Sequence, residues 1–188
     1  MNSRRRPLDP RSGLVLDTHD LVRTAGAMQE VRTTAEAPDD LGTEMIGVPP
    51  KSPIELDLRL ESVVEGVLVT GTADVVLVGQ CARCLDEIRD ATQIDVQELY
   101  VYPNSDATDD EAHRLEGELI DLEPVIRDAV VVDLPFQPLC TEDCAGLCPT
   151  CGANLNDDPE HDHEERPDPR WAALSSWDAP DEETVRRN

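Results

Sequence analysis

Aromatic residues are scarce in this chain, since its 188 residues include one Phe, two Tyr and two Trp. A core with so few rings must be built from valine, leucine and isoleucine, and it is therefore modest. Lysine and arginine are also few, at 16 against 41 aspartates and glutamates, and the carboxylates cluster at 106–123 and 157–183. The net charge of −25 repels phosphate groups and membrane surfaces, and it favours basic partners.

Long hydrophobic runs are missing as well. The apolar stretch at 130–132 is far shorter than the roughly 20 residues that a membrane-spanning helix requires. The basic residues at the start of the chain lead into Leu8-Asp9-Pro10, not into the apolar segment of a secretory signal. These absences predict a cytoplasmic protein without membrane contact.

Familiar catalytic motifs are absent from the sequence. It has no glycine-rich phosphate loop, no Gly-x-Ser-x-Gly motif and no His-Glu-x-x-His motif. Its carboxylates are abundant but scattered through solvated runs, which does not amount to a catalytic pair. The sequence therefore predicts a protein that is not an enzyme.

The segment 53–102 predicts an antiparallel sheet. Apolar and charged residues alternate from Ile54 to Glu61, which is typical of a half-buried strand. Further strands are predicted at 67–78, which is rich in valine and threonine, and at 88–102. The two strands form a hairpin, and Cys81 and Cys84 lie at its tip with their sulfurs directed outward.

A helix is predicted after this sheet. Asp121 can cap it, Pro124 is tolerated in its first turn, and Leu134-Pro135 ends it. Its apolar stripe should cover one face of the sheet. The remaining predicted elements are a short strand at 14–17, a short helix after it, and loops at 38–52 and 103–118.

The six cysteines fall into three closely spaced pairs, and two histidines form a fourth pair. The pairs are, in chain order, Cys81 and Cys84, Cys140 and Cys144, Cys148 and Cys151, and His161 and His163. In a reducing cytoplasm such cysteines more often bind metal than form disulfides. A tetrahedral zinc ion takes two pairs, so four pairs predict two ions, and four protein ligands make each ion structural.

The pairs can be joined in more than one way. The preferred assignment joins the first pair with the second and the third with the fourth, because no thiol is then left over. One rival joins the first pair with the third in a zinc ribbon, and another builds a single local site from the second and third pairs. A thiol redox role for Cys81 and Cys84 is weaker, since strands flank them rather than the helix N-terminus that lowers a thiol pKa.

Composition and motifs together predict the organisation of the chain. The expected regions are a flexible basic arm at 1–13, a domain with the cysteine knuckles at 14–156, and an acidic tail at 157–188 with a short helix near 168–176. The expected fold class is α+β, with an antiparallel sheet of several strands, one or two covering helices and a zinc-stapled C-terminal segment.

Four motifs, taken in order, resemble those of the YceD family. They are the hairpin tip at 79–85, the segment 120–126 with Leu134-Pro135 after it, the knuckle at 147–155 and the closing segment 168–174. The resemblance covers most of the chain, from about 14 to 175. That family is linked to accumulation of large-subunit ribosomal RNA, so the resemblance implies a ribosome-biogenesis factor and brings no established catalytic residues.

The charge of the chain suggests how such a factor would act. An acidic protein should hold a basic ribosomal protein or a large-subunit precursor, and so protect the rRNA indirectly. The alternative is an RNA-binding zinc ribbon whose hairpin tip contacts phosphate through Arg83. Arg4, Arg5 and Arg6 in the basic arm are further candidates for nucleic-acid contact.

Overall fold

The computed structural model of the chain describes residues 8–22, 24, 26–104, 113–163 and 170. These residues form an α+β fold of mostly antiparallel sheet with two helices, which confirms the predicted class. The strands are β1 (Val15–Asp17), β2 (Met28–Glu36), β3 (Leu41–Gly42), β4 (Ile46–Val48), β5 (Pro53–Ser62), β6 (Gly66–Gln80), β7 (Glu87–Val101) and β8 (Leu119–Asp121). The helices are α1 (His19–Val22) and α2 (Glu123–Asp133).

The alternation of β5 divides the main sheet into an inner and an outer face. The side chains of Ile54, Leu56, Leu58 and Leu60 are buried, whereas the charged residues between them are largely exposed. Because successive side chains of a strand point to opposite faces, the apolar set forms one wall of the core. The predicted half-buried strand is therefore present.

A long hairpin of β6 and β7 forms the centre of the sheet. The two strands pair along 15 residues each, and the pairing ends at Gln80 opposite Glu87. β5 pairs with the other edge of β6. At Gly71 the two strands approach so closely that a Cβ would lie 2.1 Å from the carbonyl oxygen of Asp57. Glycine has a low propensity for strands, but here its missing side chain allows β5 to lie this close to β6.

Three strands of the main sheet, β2, β3 and β4, and the short strand β8 were not predicted from the sequence. The main sheet has the order β2-β5-β6-β4-β3, with β7 also pairing with β6. β3 and β4 lie inside the predicted loop at 38–52, so that prediction is wrong in part. With two and three residues they are too short to show a period, and pairing with neighbours defines them. β2 pairs only with β5 and exposes most of its side chains, so it lacks a clear alternation.

Helix α2 packs the predicted apolar stripe against the sheet. Val125, Ile126 and Val130 are its buried residues. The N-cap residue is Leu122 and not Asp121, which is the last residue of β8. The Asp121 carboxylate nevertheless accepts a hydrogen bond of 3.0 Å from the N–H of Glu123, so it still satisfies a donor of the first turn.

A second, two-stranded sheet of β1 and β8 lies beside the main one. Tyr100, a buried residue of β7, donates a hydrogen bond of 2.7 Å from its hydroxyl to the carbonyl oxygen of Asp121. Burial, followed by the charges of Asp121 and Glu98, raises the pKa of Tyr100. One buried phenol therefore joins the two sheets.

The chain divides into two compact units, Met1–Gly146 and Leu147–Asn188. All of the strands and helices named above belong to the first unit. Among the described residues, no helix combines the length and the apolar character needed to cross a bilayer. The predicted helix near 168–176 falls outside the described residues except at position 170, and Arg4, Arg5 and Arg6 fall outside them altogether.

Candidate metal centres

The first cluster joins the tip of the β6–β7 hairpin to the segment that follows α2. Its members are Cys81 and Cys84 from the tip and Cys140 and Cys144 from that segment. Their four sulfurs all lie within 4.8 Å of one another, with 3.7 Å between Cys81 and Cys144 and 3.4 Å between Cys84 and Cys140. These distances are far longer than a disulfide bond of about 2.05 Å. They are close to the edge of about 3.8 Å of a tetrahedron with Zn–S bonds of about 2.3 Å.

A tight turn and two cross-links build this cluster. The N–H of Cys81 donates to the Asp86 carbonyl oxygen at 2.8 Å, and Leu85 takes a φ of +64° within the turn. The N–H of Ala82 donates to the carbonyl oxygen of Pro138 at 2.8 Å. The turn at the hairpin tip is thereby attached to the second cysteine segment by main-chain atoms.

Arg83 provides the other cross-link. Its Nη1 donates a hydrogen bond of 2.9 Å to the carbonyl oxygen of Cys144. Gly146 has a φ of +80°, and a Cβ there would lie 3.3 Å from the Arg83 carbonyl oxygen. The side chain predicted to contact phosphate is therefore engaged in holding the cysteine segment, and phosphate contact by Arg83 stays a prediction.

The electrostatics of the first cluster favour a cation between its sulfurs. Burial raises the pKa of Cys81, but hydrogen bonds from the backbone of Cys84, Cys140 and Arg83 outweigh it and lower the pKa to about 6. Burial raises the pKa of Cys84, and its contacts with neighbouring thiols add to the rise. For Cys140 the hydrogen bond with Cys84 lowers the pKa, but burial and two other thiols leave it raised. Without a cation, the cluster therefore accommodates one thiolate more readily than several.

Burial also bears on the redox alternative. Cys81, Cys84 and Cys144 are buried, and Cys140 is exposed. The two sulfurs at the hairpin tip lie beyond the ends of β6 and β7, and Cys140 and Cys144 lie against them, so they are shielded from solvent. Thiol–disulfide exchange requires an accessible sulfur, which disfavours a redox role for Cys81 and Cys84.

The second cluster lies wholly within the second unit. It consists of Cys148, Cys151, His161 and His163, whose ligand atoms also lie within 4.8 Å of one another. The Cys151 sulfur is 3.1 Å from Nε2 of His161 and 3.2 Å from Nε2 of His163, and the two nitrogens are 3.0 Å apart. Two thiols and two imidazole nitrogens form a donor set that suits zinc.

A knuckle turn builds the cysteine half of this cluster. The N–H of Gly152 donates a hydrogen bond to the carbonyl oxygen of Cys148, and the N–H of Cys148 donates one to the carbonyl oxygen of Ala153. Both hydrogen bonds are 2.8 Å long. Gly152 has a φ of +77°, which a glycine adopts without steric cost. The backbone of Cys151 and Thr150 lowers the pKa of Cys148 to about 6, against the effect of burial. Cys148 is therefore prepared to act as a thiolate ligand.

Asp158 lies behind the histidine half of the cluster. Its Oδ2 lies 3.7 Å from Nδ1 of His161, while Nε2 of His161 faces the sulfur of Cys151. A carboxylate that accepts a hydrogen bond from the remote nitrogen orients a metal-binding histidine, and Asp158 is placed on that side of the ring at a distance longer than a hydrogen bond. Sequence reasoning missed Asp158, although its position three residues before His161 in a turn was a usable signal.

The structure thus brings the candidate ligands together as two separate groups of four. Each group contains the pairs that the preferred assignment joins, and each can hold a metal ion. Coordination by these eight residues stays a prediction, as does the identity of the ion.

An acidic outer face of the main sheet is a further feature that sequence reasoning missed. Glu55 lies opposite Asp74, and Asp57 lies opposite Thr72, which in turn lies opposite Asp95. All four carboxylates are exposed, and Arg32 pairs with Asp57 at 3.0 Å. The alternation of charged residues in β5 was the available signal, but strand pairing was needed to group them. Of the predicted acidic clusters at 106–123 and 157–183, the described residues include 113–123, 157–163 and 170.

Comparison with known proteins places these features in a family. The sequence profile of YceD, described as large ribosomal RNA subunit accumulation protein YceD, matches residues 69–176. This range contains both candidate metal clusters. No solved structure matches the chain significantly.

Individual relatives extend the similarity over nearly the whole chain. An uncharacterized protein of Mycobacterium tuberculosis is 47% identical over 180 residues, which cover 93% of this chain and 86% of that protein. YlbN of Bacillus subtilis is 29% identical over 106 residues, covering 55% of this chain and 62% of YlbN. A chloroplastic YCED homolog 1 of Zea mays, named as a large ribosomal RNA subunit accumulation protein, is 46% identical over 37 residues, covering 20% of this chain and 13% of that protein. On the profile match and the mycobacterial similarity, the chain belongs to the YceD family.

Proposed function

We propose that this protein is a non-catalytic factor in the biogenesis of the large ribosomal subunit that supports accumulation of large-subunit rRNA. The family carries this proposal, because its description is that of an accumulation protein for this RNA. The maize relative bears the same description. A cytoplasmic location is part of the proposal.

The mechanism proposed is that the acidic protein holds a basic ribosomal protein or an assembly intermediate. A protein that gripped rRNA directly would be expected to present a basic face. The net charge of −25 and the exposed carboxylates at Glu55, Asp57, Asp74 and Asp95 instead favour a basic partner. Contact with rRNA would then be indirect.

The role proposed for the two metal centres is structural, with zinc as the ion. Cysteine and histidine are the ligands that structural zinc prefers, and four protein ligands leave no coordination position open for water. An ion at the first cluster would link the hairpin tip to the segment at 140–144. An ion at the second would contribute folding free energy to a unit that has few buried apolar residues among those described.

Titration against two kinds of partner tests the proposed function. The purified chain is titrated with naked large-subunit rRNA and with isolated basic large-subunit proteins, each over a range of salt concentrations. We expect binding to basic proteins that weakens steeply with salt, and little binding to rRNA. Tight rRNA binding that is lost when Arg4, Arg5 and Arg6 are replaced by Ala would contradict the holding mechanism and favour direct RNA contact.

A further inference from the structure

The end of α2 leaves part of the inner face of the sheet without a helix above it. Along the inner face of β7, Ile94 and Val96 are buried, but Ile88 is half-buried and Asp90 is exposed. These residues share one face because their spacing is even. Helix α2 ends at Asp133, and the segment that follows it only partly replaces it. A cleft of about 240 Å³ results at this end of the sheet.

The cleft combines an apolar floor with an acidic rim. Ile46, Leu77 and Ile88 supply apolar lining, and Asp90 and Asp133 are its charged residues. Among the residues that the structure describes, no lysine or arginine lines it. An arginine or lysine side chain fits this chemistry, because its methylene groups can pack on apolar residues while its charged end meets a carboxylate.

The chain beside the cleft exposes apolar side chains. Phe136, the only phenylalanine of the chain, is 103% exposed, and its neighbour Pro135 lines the cleft. Val131 and Val132, in the last turn of α2, are also exposed. Isolated exposed apolar residues are ordinary on protein surfaces. Here three fall within six residues, in a segment that also supplies Asp133 and Pro135 to the cleft, which points to an interaction surface.

We propose that the cleft and the exposed segment 131–136 form a docking surface for a basic protein segment that carries an apolar side chain next to an arginine or lysine. The basic side chain occupies the cleft between Asp90 and Asp133, and the apolar side chain packs on Phe136. A protein segment fits better than RNA, because the two carboxylates of the cleft repel the phosphates of a nucleic acid. This inference rests on the proposed function, since it specifies where a basic ribosomal protein is held.

Binding of defined peptides and proteins tests the docking surface. The full chain is titrated with 15-residue peptides that tile the basic large-subunit ribosomal proteins, and with the intact proteins. Phe136→Ala should weaken binding about tenfold or more, as expected for a central aromatic contact. The double change Asp90→Asn and Asp133→Asn should weaken binding and reduce its dependence on salt.

Matched controls are available in another part of the chain. Val64 is 97% exposed in the turn between β5 and β6, so Val64→Ala removes a comparably exposed apolar side chain. Glu65→Gln combined with Glu116→Gln removes two exposed charges near the Val101 end of β7, which is the end opposite Asp90. Both controls should bind as the wild type does. Since Phe136 and the two aspartates are exposed, thermal unfolding of all variants should match that of the wild type.

Each outcome decides the inference. If the wild type binds and the Phe136 and aspartate variants bind equally well, the docking surface is wrong while the holding function stands. If the wild type binds none of the peptides or intact proteins, the docking surface and the holding function are both wrong. If a single-stranded RNA of 15 nucleotides binds and Phe136→Ala abolishes that binding, the surface serves RNA and the inference is overturned.

Discussion

At the scale of single residues, the sulfur atoms of the first cluster have unequal environments. Cys81 receives backbone hydrogen bonds that lower its pKa to about 6, whereas the pKa values of Cys84 and Cys140 are raised by burial and by neighbouring thiols. A divalent cation would remove this inequality, since it stabilises every thiolate that coordinates it. The second cluster reaches the same donor count with two imidazoles in place of two cysteine sulfurs.

Metal content tests both clusters at the residue scale. Purified under reducing conditions, the chain should contain about two equivalents of zinc, one for each group of four ligands. His161→Ala combined with His163→Ala should reduce this to about one, as measured by elemental analysis. His19→Ala is the matched control, because His19 contacts Glu118 and lies in neither cluster. One equivalent in the wild type, unchanged by the histidine substitutions, would leave only the all-cysteine site.

Tyr100 predicts a dependence of stability on alkaline pH. Its pKa is raised in the folded state, so above pH 10 the folded protein keeps a proton that the unfolded chain has lost. The free energy of unfolding should therefore fall as the pH rises above about 10, and this contribution is fully present below that value. Tyr100→Phe should remove this fall, and should cost about 1 kcal/mol at neutral pH through the lost hydrogen bond to Asp121.

Urea unfolding between pH 8 and 11 measures this effect. Tyr102→Phe serves as the control, because it also replaces a tyrosine by a phenylalanine. The hydroxyl that it removes lies 3.3 Å from the hydroxyl of Ser62. If the free energy of unfolding fell equally steeply with pH in the wild type and in Tyr100→Phe, the expected contribution of Tyr100 would be contradicted.

At the scale of elements, the tip of the β6–β7 hairpin and the segment after α2 depend on each other. The sequence separates Cys84 from Cys140 by 56 residues, and the cysteine cluster and two hydrogen bonds connect the two segments. Ala82 donates to the Pro138 carbonyl oxygen, and Arg83 donates to that of Cys144. The segment carrying Cys140 and Cys144 has no regular secondary structure of its own. Its order should therefore follow occupancy of the first metal centre.

Limited proteolysis tests this dependence between elements. Cys81→Ser removes one thiolate and should expose both the hairpin tip and the segment 139–146 to cleavage, because its three partners lose a complete shell. Cys148→Ser is the matched control, since it removes one thiolate from the second cluster and should leave both of these segments protected. Cleavage of Cys81→Ser at the hairpin tip alone would mean that the two cysteine regions do not share an ion.

At the scale of the whole molecule, charge should affect the association rate with a partner more than the dissociation rate. Neutralising Glu55, Asp57, Asp74 and Asp95 together should slow association with a basic large-subunit protein by roughly threefold to tenfold at low salt, with a smaller change in dissociation. Exposed charges act mainly on encounter, and salt screens them.

Stopped-flow or surface-based kinetics at two salt concentrations measures this effect. Glu65→Gln combined with Glu116→Gln shows how much a loss of charge elsewhere contributes. If the four substitutions changed only the dissociation rate, these carboxylates would be direct contacts and not part of a steering field.

Local patterns in the sequence determined the elements that are long enough to show a clear hydrophobic period. The alternation from Ile54 to Glu61 and the apolar stripe of α2 need no tertiary information, because burial of one face dictates both. Cysteine spacing likewise marked the pairs, since two thiols three positions apart can converge on one ion by local turn geometry alone.

Tertiary structure decided what depends on distant parts of the chain. β3 and β4 exist because neighbouring strands pair with them, and two or three residues carry no period of their own. The acidic outer face is defined by the strand register that sets Glu55 opposite Asp74. This register cannot be deduced from the composition of the chain. The cleft lined by Pro135 depends on where α2 ends, so only the folded chain brings Asp90 and Asp133 to one site. The physical reason is the same in each case: sequence patterns encode burial and turns locally, whereas pairing partners and packing positions are set by contacts across the whole fold.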